Sequence, residues 1–342
     1  SHPLPSTYSP LPADPVLIEN ATILTGTGER IENGSILIAN GKIGQVGNAN
    51  SVRGGKATVI DAEGRWVTPG LIDVHSHLGV YASPSVKAHS DGNEATAPVT
   101  AQVWAEHSVW PQDPGFNRAR AGGVTSMLIL PGSANLIGGR GVTLKNIPSV
   151  SYQGMKFPNA PHGMKMACGE NPKRYYGEKG QAPSTRMGNV AGYRAQWIEA
   201  RRYIRDWEEY EENRKGRKND KNGKNGSVVA PKRDLRLETL AAVLKGEVLV
   251  HMHCYRADEM MTILDMADEF GFKVTAFHHG VEAYKIADEL AAAGVCGALW
   301  ADWWGFKAEA YDGILENIAL VDRPDGSCAI VHSDSEEGIQ RL

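Results

Sequence analysis

The stretch "VTPGLIDVHSHLG" (residues 67–79) sets His75 and His77 one residue apart at the end of a short apolar run. In a strand, positions i and i+2 point to the same side, so the two imidazoles project together. A pair of neutral imidazoles on one face can hold a metal ion, or it can sit in a polar core network. Three later runs end in ligand-type residues as well: His251 and His253 in "VLVHMHC", His278 and His279 in "TAFHHG", and Asp334 in "AIVHSDS". Each run reads as a strand, and each ligand residue lies at its C-terminal end. If the strands are parallel, those ends share one rim, and the pattern then describes a metal site built from imidazole and carboxylate.

The elements that would position these residues follow from apolar periodicity. Residues 16–69 read as short strands, with Asn40-Gly41 between two alternating runs as a type I′ hairpin turn. A further strand pair is expected around a turn at Glu63-Gly64. From residue 70 strand-like runs alternate with helical ones. "GFNRARAGG", "LETLAAVLKG", "DEMMTILDMADEFG", "EAYKIADELAAAG" and "EAYDGILENIALV" read as helices. About eight such βα units suit a parallel (β/α)8 barrel, whose active site lies at the C-terminal ends of its strands. The competing open doubly wound sheet would place a Gly-rich phosphate loop after its first strand, and "DVHSHLG" is not one. Residues 199–234 form a charged insertion that starts as an amphipathic helix and passes into a Lys-, Asn- and Gly-rich loop.

Composition narrows the function classes. The formal net charge of −4 offers no basic excess for nucleic acid. No apolar run is long enough to span a membrane as a helix. Cys168, Cys254, Cys296 and Cys328 form no CxxC pair, so we expect buried free thiols rather than a disulfide framework or a thiolate zinc site. Residues 1–15, rich in Pro and Ser and without an initiating Met, read as an extended, poorly packed lead-in. A mature chain whose export signal has been removed would begin this way, and so would a cloning remnant.

"VTPGLIDVHSHLG", followed by strand-end His, strand-end His and strand-end Asp, resembles the amidohydrolase superfamily, in particular its imidazolonepropionase-related, prolidase-like branch. The likeness runs from about residue 16 and includes "GGRGVTLKN", "MKMACGENPKR" and "ADWWGFKAEAYD". It implies an α/β fold: a TIM-like (β/α)8 barrel from residue 70 onward and a small β-sandwich domain formed mainly by the N-terminal strands. It also implies that His75, His77 and Asp334 bind one metal ion. Lys165 would bridge two ions as a carbamate, and one histidine from each of the next two strands would hold the second. The patterns of relatives favour His251 over His253 and His279 over His278. His253 faces the same way as His251 and would contact substrate or serve as the ligand in its place, and His278 would be an outward-facing strand residue or else the alternative metal or substrate contact. One or two Zn2+ ions are implied, with Fe or Mn tolerated.

The implied activity is hydrolysis of a C–N bond in an amide, cyclic amide or dipeptide by metal-activated hydroxide, with Asp334 as the proton carrier. The alternatives are a mononuclear-metal deaminase, a cyclic-imide hydrolase and, from another class, a non-catalytic metal-binding barrel. Tyr255, Arg256, Trp303 and Trp304 follow strand ends and are candidates for substrate contact. Arg256 would clamp a carboxylate or form a surface salt bridge, and the tryptophans would wall a pocket or pack under a loop. His89 and His107 lack a spacing partner and read as loop residues. The expected partners are a small-molecule or dipeptide-like substrate and a second copy of the chain in a homo-oligomer. Only eight residues follow Asp334. An eighth helix and the closing sandwich strands are therefore expected from a longer chain or another polypeptide.

Overall fold

The structure, a computed structural model, describes residues 3–218, 229–301 and 303–332. Asp334 and the expected loop at residues 219–228 lie outside the described residues. The chain divides into two compact units, Thr7–Leu71 and a larger one comprising Ser1–Ser6 and Ile72–Leu342.

The smaller unit is a five-stranded sheet in the order β3-β2-β1-β4, with β5 also on β1. Its strands are β1 (Val16–Leu24), β2 (Arg30–Ala39), β3 (Lys42–Asn48), β4 (Thr58–Asp61) and β5 (Trp66–Val67). The β2–β3 hairpin closes through Asn40 (φ 53°) and Gly41 (φ 69°), the double positive φ that a type I′ turn demands. The expected β4–β5 pair does not form. Both strands instead run parallel to β1, end to end along one edge, and Glu63-Gly64 interrupts that edge rather than reversing it. A bulge at Asn20 explains the break: the Asn20 carbonyl accepts from Gly64 N at 2.7 Å where β1 kinks. The described residues of this unit form one sheet, without a second facing one.

The larger unit alternates strands and helices. Its first half contains β6 (Leu71–Ser76), α1 (Pro114–Ala121), β7 (Val124–Ile129), β8 (Ile137–Arg140), β9 (Val142–Lys145), the single turn α2 (Tyr152–Met155), β10 (His162–Ala167) and α3 (Glu170–Gly177). Its second half contains α4 (Arg186–Lys218), α5 (Leu235–Leu244), β11 (Val248–Cys254), α6 (Ala257–Phe270), β12 (Val274–His279), α7 (Ala287–Ala293), β13 (Cys296–Leu299), α8 (Asn317–Val321) and β14 (Ala329–Val331). Two sheets result, β6-β7-β9 and β14-β13-β12-β11-β10-β8. From β10 to β14 every pairing is parallel. The alternation fails at "NLIGGRGVTLKN", where two short strands separated by Gly141 run antiparallel to β10 and β7. Glycines break the apolar period there, which hides both strands from a reading of the sequence.

Burial explains the parallel sheet. Every residue of β10 is buried, as parallel strands covered on both faces require. Met164, Met166, Val250, Met252 and Phe277 pack against Trp197 of α4, Leu240 of α5 and Met260 and Ile263 of α6. Gly271 (φ 69°) and Gly294 (φ 62°) cap α6 and α7 in the left-handed conformation that glycine adopts freely. "EAYDGILENIALV" does not form the single helix expected. A short 3-10 turn at Ala308–Ala310 and α8 are its helical parts, and between them Gly313 packs so closely on Trp304 that a side chain there would collide with the ring. No described helix is long and apolar enough to cross a membrane. Residues 3–15 form no helix or strand and are mostly exposed, with two bonds near their start: Lys156 Nζ donates to Leu4 O (2.7 Å) and Ser6 Oγ to Lys156 O (2.6 Å).

The cysteines overturn the free-thiol expectation. Cys168 and Cys254 are disulfide-bonded, as are Cys296 and Cys328, and none is free. Residues far apart in sequence become neighbours because Cys168 follows β10 and Cys254 ends β11, its paired strand; the Cα atoms are 5.2 Å apart. Thiol titration of the oxidised protein in denaturant should therefore detect none of the four cysteines before reductant is added. Four titrating thiols would contradict this pairing.

Candidate active site

Parallel register gathers the strand ends. Lys165 pairs with His251, and two residues further toward the strand ends His253 pairs with His278 and Cys254 with His279, so these residues gather at one end of the sheet. His75 and His77 join them from the end of β6 and just beyond it. Ring centroids of His75 lie 4.9 Å from His77, 4.8 Å from His278, 4.7 Å from His279 and 5.0 Å from His332. His253 lies 4.6 Å from His279, and His251 5.1 Å from His278.

His278 is a correction: it faces inward, not outward, and is fully buried. Neighbouring strand residues normally point to opposite faces, but His279 adopts φ 73°, a left-handed conformation costly for a non-glycine residue. That turn swings the His279 ring into the same cluster, where it stacks on Trp300 at 4.3 Å. His332, which the sequence reading passed over, donates to or accepts from His279 across 3.2 Å (Nε2 to Nδ1). It carried a visible signal: His332 and Asp334 repeat the i, i+2 spacing of His75 and His77.

Four imidazoles form a directed chain. His77 Nδ1 lies 2.8 Å from the Leu130 carbonyl, which can only accept, so that nitrogen carries the proton. His77 Nε2 is then a lone pair, 3.3 Å from His75 Nε2. His75 Nδ1 meets His278 Nδ1 at 2.9 Å, and His278 Nε2 meets His251 Nδ1 at 2.9 Å. One donor and one acceptor per neutral ring give a single polarity, from His251 through His278, His75 and His77 to Leu130. Burial enforces neutrality, with the nearby Lys165 cation adding to it. His77 is pushed down to about 3 and His251 to about 4, while His75, His253, His278 and His279 sit well below the usual imidazole range. Lys165 is buried, its Nζ donates to the Pro131 carbonyl at 3.0 Å, and burial lowers its ammonium to about 7.

Because the rings bond to one another, no three His, Cys, Asp or Glu side chains among the described residues converge on one point as ligands do. The donor set nonetheless fits a divalent ion. The rings are neutral, and His77 is held by the Nδ1–H to carbonyl bond that commonly orients metal-binding histidines. The 3.3 Å between the Nε2 atoms of His75 and His77 matches the ligand spacing of a tetrahedral site with metal–nitrogen bonds of about 2.0–2.1 Å, where an ion would take the place of the proton that His75 Nε2 carries in this chain of bonds.

Other side chains complete the wall. Asn171 is oriented by Lys307, whose Nζ donates to its Oδ1 at 2.8 Å. That turns Asn171 Nδ2 toward His253 Nε2 (3.3 Å) and makes this nitrogen the acceptor. His253 Nδ1 must then carry the proton, and it is buried without a partner among the described residues. Tyr255 packs on His253 (4.7 Å), and Trp303 and Phe306 extend an aromatic wall from Trp300. Trp304 packs under the loop against the cluster of Tyr255 and Trp300. Arg256 does not reach the site. Its guanidinium makes two 2.9 Å bonds to Asp258, two residues along, which is the salt-bridge alternative. His89 and His107 stay outside; His89 is half-buried against Trp110 and bonds the Pro84 carbonyl. Asn171, Trp300, Phe306 and Lys307 were not visible in the sequence, because no spacing rule links them to a strand end.

Gly163 is required by close approach. A Cβ there would stand 2.6 Å from His251 Cδ2. Gly163→Ala should displace that ring and lower activity by about tenfold or more with little change in secondary structure, since loss of geometry around a site costs rate steeply. Unchanged kcat/KM would show that the position of His251 does not matter.

No family model matches the chain. A solved structure described as an amidohydrolase from Thermotoga maritima MSB8 is 35% identical, with a TM-score of 0.81 over 95% of this chain and 80% of that one. The amidohydrolase tasK of Hapsidospora irregularis is 35% identical over 329 residues, which cover 87% of this chain and 33% of that protein. An adenine deaminase of Clostridium botulinum is 42% identical over 67 residues, 20% of this chain and 11% of its own length. The chain thus spans about a third of one curated relative and about a tenth of the other. The strands, the histidine rim and this likeness define an α/β scaffold of the amidohydrolase kind. The chain belongs to the amidohydrolase superfamily.

Proposed function

We propose that this chain carries the metal centre of a hydrolase acting on a C–N bond in an amide, cyclic amide or dipeptide. The observation that carries the reading is the buried rim of neutral imidazoles, with His77 held so that its Nε2 lone pair faces His75. Closure of the two sheets into a TIM-like barrel, with a β-sandwich at the N-terminal unit, is part of the proposal. His75, His77, His251, His279 and Asp334 would hold one or two ions, zinc first, with iron or manganese tolerated. A divalent ion supplies a nucleophile from water near neutral pH and polarises a carbonyl.

The chain's own residues account for the other roles. Burial of Lys165 favours its neutral amine, the form that CO2 converts to a carbamate, and a carbamate there would contribute the negative charge that imidazoles lack. Asp334 would take a proton from water and return it to the leaving nitrogen. His253, with its unpartnered Nδ1–H, would donate to the substrate carbonyl oxygen as charge develops on it. His278 would orient His251 and His75. Tyr255, Trp300 and Trp303 would wall the substrate side chain.

The test is a screen of metal-replete protein, with and without bicarbonate, against N-acyl amino acids, dipeptides, cyclic imides and adenine. We expect amide or dipeptide hydrolysis with two metal equivalents and dependence on bicarbonate. Adenine deamination with one equivalent would support the mononuclear deaminase instead. Metal loading near zero, with no turnover of any class, would favour a non-catalytic barrel.

A further inference from the structure

A second site lies at the other end of the same strands. A cavity of about 510 Å³ opens where β10 and β11 begin, beside His162 and Val248. Five residues of extended chain separate Val248 from His253, so the cavity is about 16 Å from the histidine rim. Its volume falls in the range of small-molecule sites. Aromatic rings of α4, Tyr203 and Trp207, form one wall, and Ala241 and Ala242 of α5 form part of another.

Arg140 gives the cavity its chemistry. It is 6% exposed, yet among the described residues no carboxylate lies within salt-bridge distance of it. Its Nε donates to Thr239 Oγ1 at 3.0 Å, and its guanidinium lies 4.6 Å over the Trp104 ring. The terminal nitrogens of the fork remain for a ligand, because Glu238, Glu106 and Glu247 act on this cation only at a distance and do not bond it. The neighbouring carboxylates are committed elsewhere. Glu238 takes two bonds from Arg233 (2.6 and 2.9 Å), and Glu106 takes one from Lys156 (2.8 Å). With Lys245 and the paired Arg233 the lining holds three cations against the carboxylates of Glu238 and Glu247, an excess of one positive charge that suits a monoanion better than a phosphate dianion. Trp207 Nε1 is buried without an acceptor among the described residues.

We propose that this cavity binds a small aromatic carboxylate, its carboxylate on the Arg140 fork and its ring against Trp207 and Tyr203. A planar carboxylate matches the guanidinium edge by two parallel hydrogen bonds.

The test is calorimetric titration of the full chain with benzoate, and with benzamide as the uncharged analogue. Benzoate should bind saturably at one equivalent, and benzamide at least tenfold more weakly. Arg140→Met should weaken benzoate at least tenfold, and His77→Ala, at the opposite rim, should leave it unchanged. If Arg140→Met does not fold by circular dichroism, Trp207→Ala keeps the buried cation and should still weaken benzoate severalfold. Equal binding of benzoate and benzamide, loss of binding in His77→Ala, or no saturable binding would overturn the proposal. The His77→Ala arm also separates this site from the catalytic reading, which can fail without affecting it.

Discussion

His77→Ala is expected to lower kcat/KM for the proposed C–N bond hydrolysis by about a thousandfold or more, some 4 kcal/mol of transition-state stabilisation. The argument is geometric. The Leu130 carbonyl fixes the proton on His77 Nδ1, so Nε2 is a lone pair aimed into the rim, 3.3 Å from its counterpart on His75. Alanine removes that donor and leaves the Leu130 carbonyl without its proton. Bound metal should fall in parallel with activity, whereas His89→Ala, a change outside the rim, should retain both. Measuring metal content beside kcat/KM tests the link. A His77→Ala protein that keeps its metal and more than a tenth of its activity would remove His77 from the centre.

Metal-free protein should lose stability steeply as pH falls below about 6.5. The sign follows from the depressed imidazoles. Between the unfolded value near 6.5 and the folded values of about 3 for His77 and about 4 for His251, only the unfolded chain binds these protons. Stability from these groups is therefore fully present above about pH 6.5 and is lost on acidification toward the folded values. Each proton contributes about 1.4 kcal/mol per pH unit, so two histidines alone would remove up to about 5 kcal/mol by about pH 4.5. That is a large share of the 5–15 kcal/mol typical of a domain. Urea midpoints measured with chelator at pH 7.5, 6 and 5 should fall in that order. A midpoint that holds level across this range would mean that the rim histidines are not held neutral.

The sequence exposed the parts of the rim that local spacing encodes. His75-Ser-His77 and His251-Met-His253 keep strand period, and the parallel register then aligns them, so both pairs were visible before any coordinates. The inward position of His278 is not legible, because strict alternation admits only one of two neighbours and His279 is the one it admits. The left-handed turn at His279 overrides it. The hairpin at Asn40-Gly41 was legible because its two residues permit positive φ. The β4–β5 pair was not, because a bulge in a third segment, at Asn20, decides where that chain goes. Disulfides between Cys168 and Cys254 and between Cys296 and Cys328 depend on which strands become neighbours, which no spacing along the chain reports. Arg256 shows a different limit: an arginine after a strand end looks poised for substrate until an aspartate two residues on takes its fork.

The most direct test of the metal centre is X-ray absorption on protein loaded with zinc and freed of excess ion, with elemental analysis of the same sample. At least one bound equivalent is expected, with an imidazole-rich shell at about 2.0–2.1 Å that disappears in His75→Ala. Less than a tenth of an equivalent, or an imidazole shell that survives in His75→Ala, would contradict the account.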